Sequence, residues 1–325
     1  MKNIALVRLS ALGDIINTAF VLQFLKRHNP ELSITWVCEE VFAPLLQNHP
    51  LIDTTLTVNL KQLKKERSFS LLQQTLQKLR QTPEFDKIID SQGLLKSAIV
   101  ARLLGKNTHG FDKDSIREKV ATFFYATTTS IPYEANVILR NAKVVADALG
   151  FEITKEMIEH KEAVFPFTQK KSTPYIAFVI GASWESKKYP KELMVEVIKQ
   201  LQEQECYIIW GSEAEKEEAL YIQEHSHAKA APKMSLTELV DFISNAALVI
   251  GNDTGPTHLA WAQNVPSITL FGPTYERMIF PTSINRYINS PSKVDIAKID
   301  KNDYSIKEIP PQKVVTLAKE LLNGI

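Results

Sequence analysis

Three stretches place chemically capable side chains where a strand-like run gives way to a helix-like one. The first is Arg8-Leu9-Ser10-Ala11-Leu12-Gly13-Asp14, at the end of the apolar run Lys2–Arg8. A carboxylate there can take a proton from a hydroxyl, or simply cap the helix that follows. The second is Gly181-Ala182-Ser183-Trp184-Glu185-Ser186-Lys187, after Tyr175–Ile180. Lys187, as a mobile point charge, and Ser183, as a hydroxyl, could reach a phosphate. The third is Gly251-Asn252-Asp253-Thr254-Gly255-Pro256-Thr257-His258, after Leu248–Ile250. A helix starting there turns free N–H groups and its positive dipole end toward an anion. Gly255 allows close approach, Pro256 suits a first helical turn, and His258 could donate to the same anion. The plainer reading makes Asp253 a cap and His258 a core residue.

Weaker signals accompany these. Trp210-Gly211-Ser212-Glu213-Ala214-Glu215 sets a carboxylate beyond a strand end, where it could accept from a ribose diol. Ile89-Asp90-Ser91-Gln92-Gly93 again runs from strand to helix, with Lys96 and Ser97 following. Between Lys61 and Arg67 four cations fall within seven residues, and Arg117 adds another. Such a run is ordinarily a solvated face; beside a cleft it could bind acceptor phosphates.

The elements that must position these loops alternate. Strand-like Lys2–Arg8, Ser33–Cys38, Thr54–Val58 and Lys87–Asp90 are separated by helix-like Ile15–His28, Phe42–Gln47 and Phe69–Gln81; Leu94–Leu104 and Val137–Leu149 follow as helices. The polar stretch Phe151–Thr173 interrupts the rhythm. It restarts with strands at Tyr175–Ile180, Cys206–Trp210, Leu248–Ile250 and Ser267–Phe271, and helices at Pro190–Gln204, Glu213–His225, Leu236–Ser244 and Thr257–Ala262. This predicts two α/β domains with doubly wound parallel sheets, 1–165 and 166–325. The last helix, Gln312–Leu322, could cross back onto the first domain.

Composition narrows the class. A net charge of +1 over 325 residues argues against a protein that coats nucleic acid. No stretch approaches the ~20 apolar residues of a membrane span, and no signal peptide is visible, so a cytoplasmic protein is expected. Cys38 and Cys206 sit inside strand-like runs, as buried free thiols would. No Cys/His cluster has metal-ligand spacing.

The motifs RLSALGDIINT, DSQGLLKSA, KKYP, WGSEAE, PKMSL, GNDTGPTHLA and ITLFGPT occur in this order from residue 8 to 274. With them the chain resembles the ADP-heptose–lipopolysaccharide heptosyltransferases; DSQGLLKSA and PKMSL favour the first enzyme of that group over the second. The resemblance implies a GT-B fold, two Rossmann-like domains facing a central cleft. It implies inverting transfer of L-glycero-D-manno-heptose from ADP-heptose to a Kdo of Kdo-lipid A. The N-terminal domain would bind this acceptor at the cytoplasmic face of the inner membrane, with the protein peripheral there. The C-terminal domain would bind ADP-heptose.

The resemblance makes Asp14 the catalytic base and sets Lys187 on the sugar-nucleotide phosphates, with Ser183 nearby. It puts Glu215 on the ribose, Met234 beside adenine and Asp253 on the heptose, with Thr254, Gly255 and His258 as phosphate loop. On the acceptor side it implies Ser10, Gly13, Lys61, Lys64, Gln92 and Arg117. Ser183-Trp184 stands where the family carries paired threonines. No Asp-x-Asp motif lies in the donor half, so no obligatory metal or cofactor is expected, with stimulation by a divalent cation left open. The alternatives are an enzyme adding the second heptose, or a non-catalytic sugar-nucleotide-binding protein. A nucleotide-sugar epimerase would need a redox cofactor, and no GxGxxG is present.

Overall fold

The computed structural model describes residues 1–170, 173–295 and 299–324. The chain divides into two compact units, Met1–Val164 and Phe165–Ile325. Lys171 and Ser172, in the polar stretch noted above, lie outside the described residues.

The first unit carries strands β1 (Asn3–Val7), β2 (Ser33–Glu39), β3 (Thr54–Val58), β4 (Lys87–Asp90), β5 (Thr108–Phe111) and β6 (Thr127–Thr129). They form one parallel sheet in the order β3-β2-β1-β4-β5-β6. Ile4, Ala5, Leu6 and Val7 are all fully buried, as a central strand covered on both faces requires. The helices are α1 (Leu12–Ala19), α2 (Val21–His28), α3 (Ala43–Leu46), α4 (Leu60–Glu66), α5 (Phe69–Arg80), α6 (Leu95–Leu104), α7 (Val137–Leu149) and α8 (Lys155–Glu159). The single helix expected over Ile15–His28 is two, joined at Phe20, and it begins at Leu12. Gly13 is therefore a helical residue rather than part of the turn. α7 is capped as its sequence suggests. The Asn136 side chain accepts from the Ile138 and Leu139 N–H, and Gly150 closes the helix at φ 75°.

The second unit carries β7 (Tyr175–Val179), α9 (Lys191–Lys199), β8 (Glu205–Ile209), α10 (Glu213–His225), β9 (Lys229–Ala230) and α11 (Leu236–Ser244). Then come β10 (Leu248–Asn252), α12 (Gly255–Ala262), β11 (Ser267–Phe271), β12 (Asn285–Asn289) and α13 (Pro311–Asn323). Its parallel sheet has the order β12-β11-β10-β7-β8-β9. α13 packs on α9 and over β10 and β11, burying Val314, Val315, Ala318 and Leu321 in this unit's own core. That apolar stripe accounts for where the final helix packs in this unit.

Read from its own first strand, each sheet has the same order, 3-2-1-4-5-6. The order reverses between β1 and β4 in one unit, and between β7 and β10 in the other. Loops leaving the carboxyl ends of those strands border the crevice where open α/β sheets bind ligands. Four of the loops singled out from the sequence leave these strands; Trp210–Glu215 leaves β8, and Lys61–Arg67 follows β3.

Candidate active site

In the second unit the loop after β7 and the loop after β10 are tied together. Asn252, the last residue of β10, donates through Nδ2 to the Ile180 carbonyl at 2.8 Å and accepts from the Tyr189 N–H at 3.0 Å. Gly251 makes this closeness possible, since a Cβ there would lie 2.5 Å from Val179 Cβ. The Lys187 ammonium then meets the Asp253 carboxylate at 2.5 Å, both side chains being under a tenth exposed. The same Asp253 oxygen, Oδ2, accepts from the Thr274 hydroxyl at 2.8 Å. Its Oδ1 lies 3.0 Å from His258 Nε2. Burial by itself would raise the Asp253 pKa; the Lys187 charge and His258 outweigh it and hold this carboxyl well below the usual range. Trp184 lies over Lys187, with Nζ 5.0 Å from the ring centroid.

Thr254, not Asp253, is the N-cap of α12, so the capping role considered for Asp253 falls away. Pro256 has no N–H, which leaves those of Gly255 and Thr257 in the first turn without an intrahelical acceptor. Around them Trp184 Nε1, Ser186 Oγ, Thr257 Oγ1 and His258 Nδ1 are buried with no hydrogen-bond partner in the protein. Native interiors rarely leave such groups unmet. The indole N–H of Trp184 and the hydroxyls of Ser186 and Thr257, beside a buried ammonium, are donors that an anionic ligand would satisfy.

The remaining donor-side residues are distributed as follows. Ser183 is exposed, and the buried hydroxyl of this loop belongs to Ser186. Glu215 Oε2 accepts from the Gly211 N–H at 2.7 Å and the Ser212 N–H at 3.2 Å, closing a capping box at the start of α10. Its Oε1 lies over Gly181, 2.6 Å from where a Cβ would stand. Met234 lines a separate groove of about 420 Å³ with Tyr175, Tyr207 and Phe242.

In the first unit Ala11, not Asp14, is the N-cap of α1. Asp14 is its third residue, and Oδ2 accepts from the Ala11 N–H at 3.1 Å. Oδ1 pairs with Arg8 Nη2 at 3.0 Å, and the Asp14 side chain keeps 36% of its surface. Arg8 is buried and donates through Nη1 to the Ser91 carbonyl. Gln92 Oε1 accepts from the Leu9 N–H at 2.9 Å. That oxygen is thus used to hold the β1 loop, a different task from the acceptor contact the family likeness implied.

Asp90 anchors the second loop. It accepts from Tyr125 Oη at 2.7 Å, Ser97 Oγ at 2.8 Å, and the Gln92 and Gly93 N–H groups. Beside these loops lies a hollow of about 690 Å³ lined by Ser10, Glu39, Phe42, Lys61, Lys64 and Lys96. Lys96 donates to Ser10 Oγ at 2.9 Å. Lys61 and Lys64, three apart on α4, both reach this hollow. Arg117 is exposed, just before a 3-10 turn at Lys119–Phe124.

Arg8, Glu39, Ser186 and Thr274 belong to these sites and were not singled out. Burial raises the Glu39 pKa, while the Lys61 and Leu60 N–H groups and the Lys96 charge oppose it. Its sequence signal is an acid closing the apolar run Ile34–Cys38. Thr274 was visible only as the end of ITLFGPT.

Two doubly wound units of this topology, one presenting a carboxylate and the other a buried cation with unmet donors, have the architecture of the GT-B fold. The solved structure of Escherichia coli heptosyltransferase WaaC with ADP-2-deoxy-2-fluoro heptose superimposes with a TM-score of 0.81 at 23% identity, over 98% of this chain and 99% of that one. Residues 72–304 match glycosyltransferase family 9 (heptosyltransferase). Lipopolysaccharide heptosyltransferase 1 from Campylobacter coli is 38% identical over 98% of each chain. The Pseudomonas aeruginosa protein of the same name is 31% identical over 83% of this chain and 79% of its own. The chain belongs to glycosyltransferase family 9, the heptosyltransferases.

Proposed function

We propose that the chain transfers L-glycero-D-manno-heptose from ADP-heptose to a Kdo of Kdo-lipid A, with inversion at the anomeric carbon. The observation that carries this is the Lys187–Asp253–His258 network with its unmet donors at the carboxyl end of the second sheet. The first unit takes the acceptor and the second takes ADP-heptose. Asp14 accepts the proton of the acceptor hydroxyl, whose oxygen forms a bond to the anomeric carbon. The bond from that carbon to the diphosphate oxygen breaks, and ADP leaves with the electron pair. Lys187 and the Gly255 and Thr257 N–H groups stabilise the charge that develops on the diphosphate. Asp253 orients Lys187 and faces the heptose, and Glu215 accepts from the ribose through Oε1. Lys61, Lys64 and Lys96 meet acidic groups of the acceptor around the hollow.

The reading needs no cofactor, because protein cations and amides answer the leaving-group charge. The protein works as a peripheral enzyme at the cytoplasmic face of the inner membrane. Among the described residues no helix is long and apolar enough to cross a membrane. The experiment is ADP release with and without Kdo-lipid A, for the parent and Asp14→Ala. Acceptor-dependent release lost in the variant, with ADP-heptose still bound, is expected. Equal release in both would remove Asp14 from the reaction, and release indifferent to acceptor in the parent would remove the transferase reading.

A further inference from the structure

Large apolar side chains left in solvent are unevenly divided. Among the described residues, besides Met1, seven lie on the first unit, Val41, Phe69, Leu72, Leu95, Ile99, Val120 and Phe123, and two on the second, Leu220 and Tyr304. Four of the seven form two stripes. Leu95 and Ile99 stand four apart on α6, hence on one face. Val120 and Phe123 stand three apart on the 3-10 turn Lys119–Phe124, where that spacing eclipses side chains. The turn packs against α6, and the Leu95 N–H donates to the Glu118 carboxylate at 2.6 Å. Phe123 is 86% exposed and Val120 57%. α5, which presents Phe69 and Leu72, also packs on α6.

The charge around these stripes has one dominant sign. Lys96 and Arg102 share α6, and Arg117 and Lys119 flank the turn. The acids there are Asp114, 4.0 Å from Lys119, and Glu118, already engaged by the α6 N-terminus. α4 and its C-cap add Lys61, Lys64, Lys65 and Arg67 against Glu66, with Glu39 and Glu40 on the wall of the neighbouring hollow. Cations this dense are local, since the whole chain carries only +1. Lys96, next to Leu95, also lines the acceptor hollow.

We infer that the Leu95/Ile99–Val120/Phe123 face docks on the surface of an anionic lipid bilayer. Exposed aromatic and aliphatic groups enter the headgroup boundary while the surrounding Lys and Arg meet lipid phosphates. This rests on the lipid-linked acceptor of the proposed reaction and adds where the membrane lies against the enzyme. The other occupants considered, a second copy or another protein, would not require the cation excess.

The test is co-sedimentation with phosphatidylcholine vesicles, with and without one-third phosphatidylglycerol. The full chain is compared with Val120→Ser/Phe123→Ser and with Lys119→Glu. Both variants alter exposed side chains, and an unchanged urea midpoint checks their fold. Binding to the anionic vesicles is expected. The apolar variant should bind on the order of tenfold more weakly, and the charge variant at least about fivefold more weakly. ADP release with a soluble, acyl-free Kdo acceptor should stay at the parent level. Equal vesicle binding by parent and variants overturns the inference, as does a parent dimer, seen by sedimentation velocity, that the apolar variant abolishes. Vesicle binding by a protein that transfers no heptose would remove the proposed reaction and leave the docking face standing.

Discussion

The guanidinium of Arg8 pairs with Asp14 Oδ1 at 3.0 Å while also donating to the Ser91 carbonyl. One buried side chain at the end of β1 therefore holds the carboxylate on α1 and the loop after β4 in a single arrangement. A planar fork fixes the spacing and direction of both bonds, which a freely rotating ammonium does not. Asp14→Asn should lower transfer by about 100- to 10,000-fold, the usual share of a general base, with ADP affinity intact. Arg8→Lys should lower kcat about tenfold and broaden the dependence of rate on acceptor structure, through a misplaced Asp14. Steady-state kinetics with ADP-binding controls checks both. An Arg8→Lys enzyme altered only in thermal stability would remove the positioning role.

Lys187 and Asp253 are a buried pair, so removing one partner should cost more than removing both. Lys187→Met leaves a buried carboxylate and should destabilise by about 3–5 kcal/mol. Lys187→Met with Asp253→Leu should recover a large part of that. ADP affinity, in contrast, should be lost in both proteins. Urea unfolding beside calorimetric ADP titration separates the two roles; additive losses of stability would argue against the coupling.

Gly181→Ala tests the carboxylate over the loop. The new Cβ would stand 2.6 Å from Glu215 Oε1, so the Glu side chain would have to swing aside and give up its bonds to the Gly211 and Ser212 N–H groups. ADP binding should weaken about tenfold, the worth of one charged hydrogen bond. A larger effect on melting temperature than on ADP affinity would contradict the ribose role.

His109 sets an acid limit on the first unit. The Thr129 hydroxyl donates to Asp147, so it accepts from Nε2–H at 2.9 Å, and Nδ1 accepts from Thr127 Oγ1 at 2.8 Å. Burial lowers its pKa from 6.5 to about 4, with Lys87 acting in the same direction. Between those values the unfolded chain binds a proton that the folded chain does not. Stability from this site is complete above about pH 6.5 and is lost as pH falls toward 4. The urea midpoint should decline over that window, and His109→Gln should flatten part of the decline. Parallel pH profiles would show that another group is responsible.

The loops were legible where an apolar strand meets a special residue: Asp253 through His258, Gly181 through Lys187, Asp90 through Gly93. Boundaries were less so. α1 starts on Ala11, which has no capping side chain, so nothing marked its beginning and Asp14 looked like the cap. The apolar period runs through Phe20 unbroken, hiding the joint between α1 and α2. β5, β6 and β12 are short and rich in His, Thr and Asn, which removes the apolar run a buried strand normally shows. α4 is mostly lysine and glutamine, and its Asn59 cap, accepting from the Gln62 N–H, was the one local sign of it. Glu39 and Arg8 escaped notice because their meaning lies in partners remote in the chain, Lys61 and Ser91 among them.

The shared strand order of the two sheets has a consequence for how such an enzyme can change. Each unit offers the same scaffold, so what distinguishes the two lies in the loops at their strand ends. The two donor-side loops differ in how far they enter the interior: residues 211–214 are exposed, whereas Lys187 and Tyr189 of loop 181–189 are buried and the Tyr189 hydroxyl donates to the Ile309 carbonyl. A change of ligand on such a chain is a matter of rewriting loops, constrained where they enter the core, while the sheets stay the same.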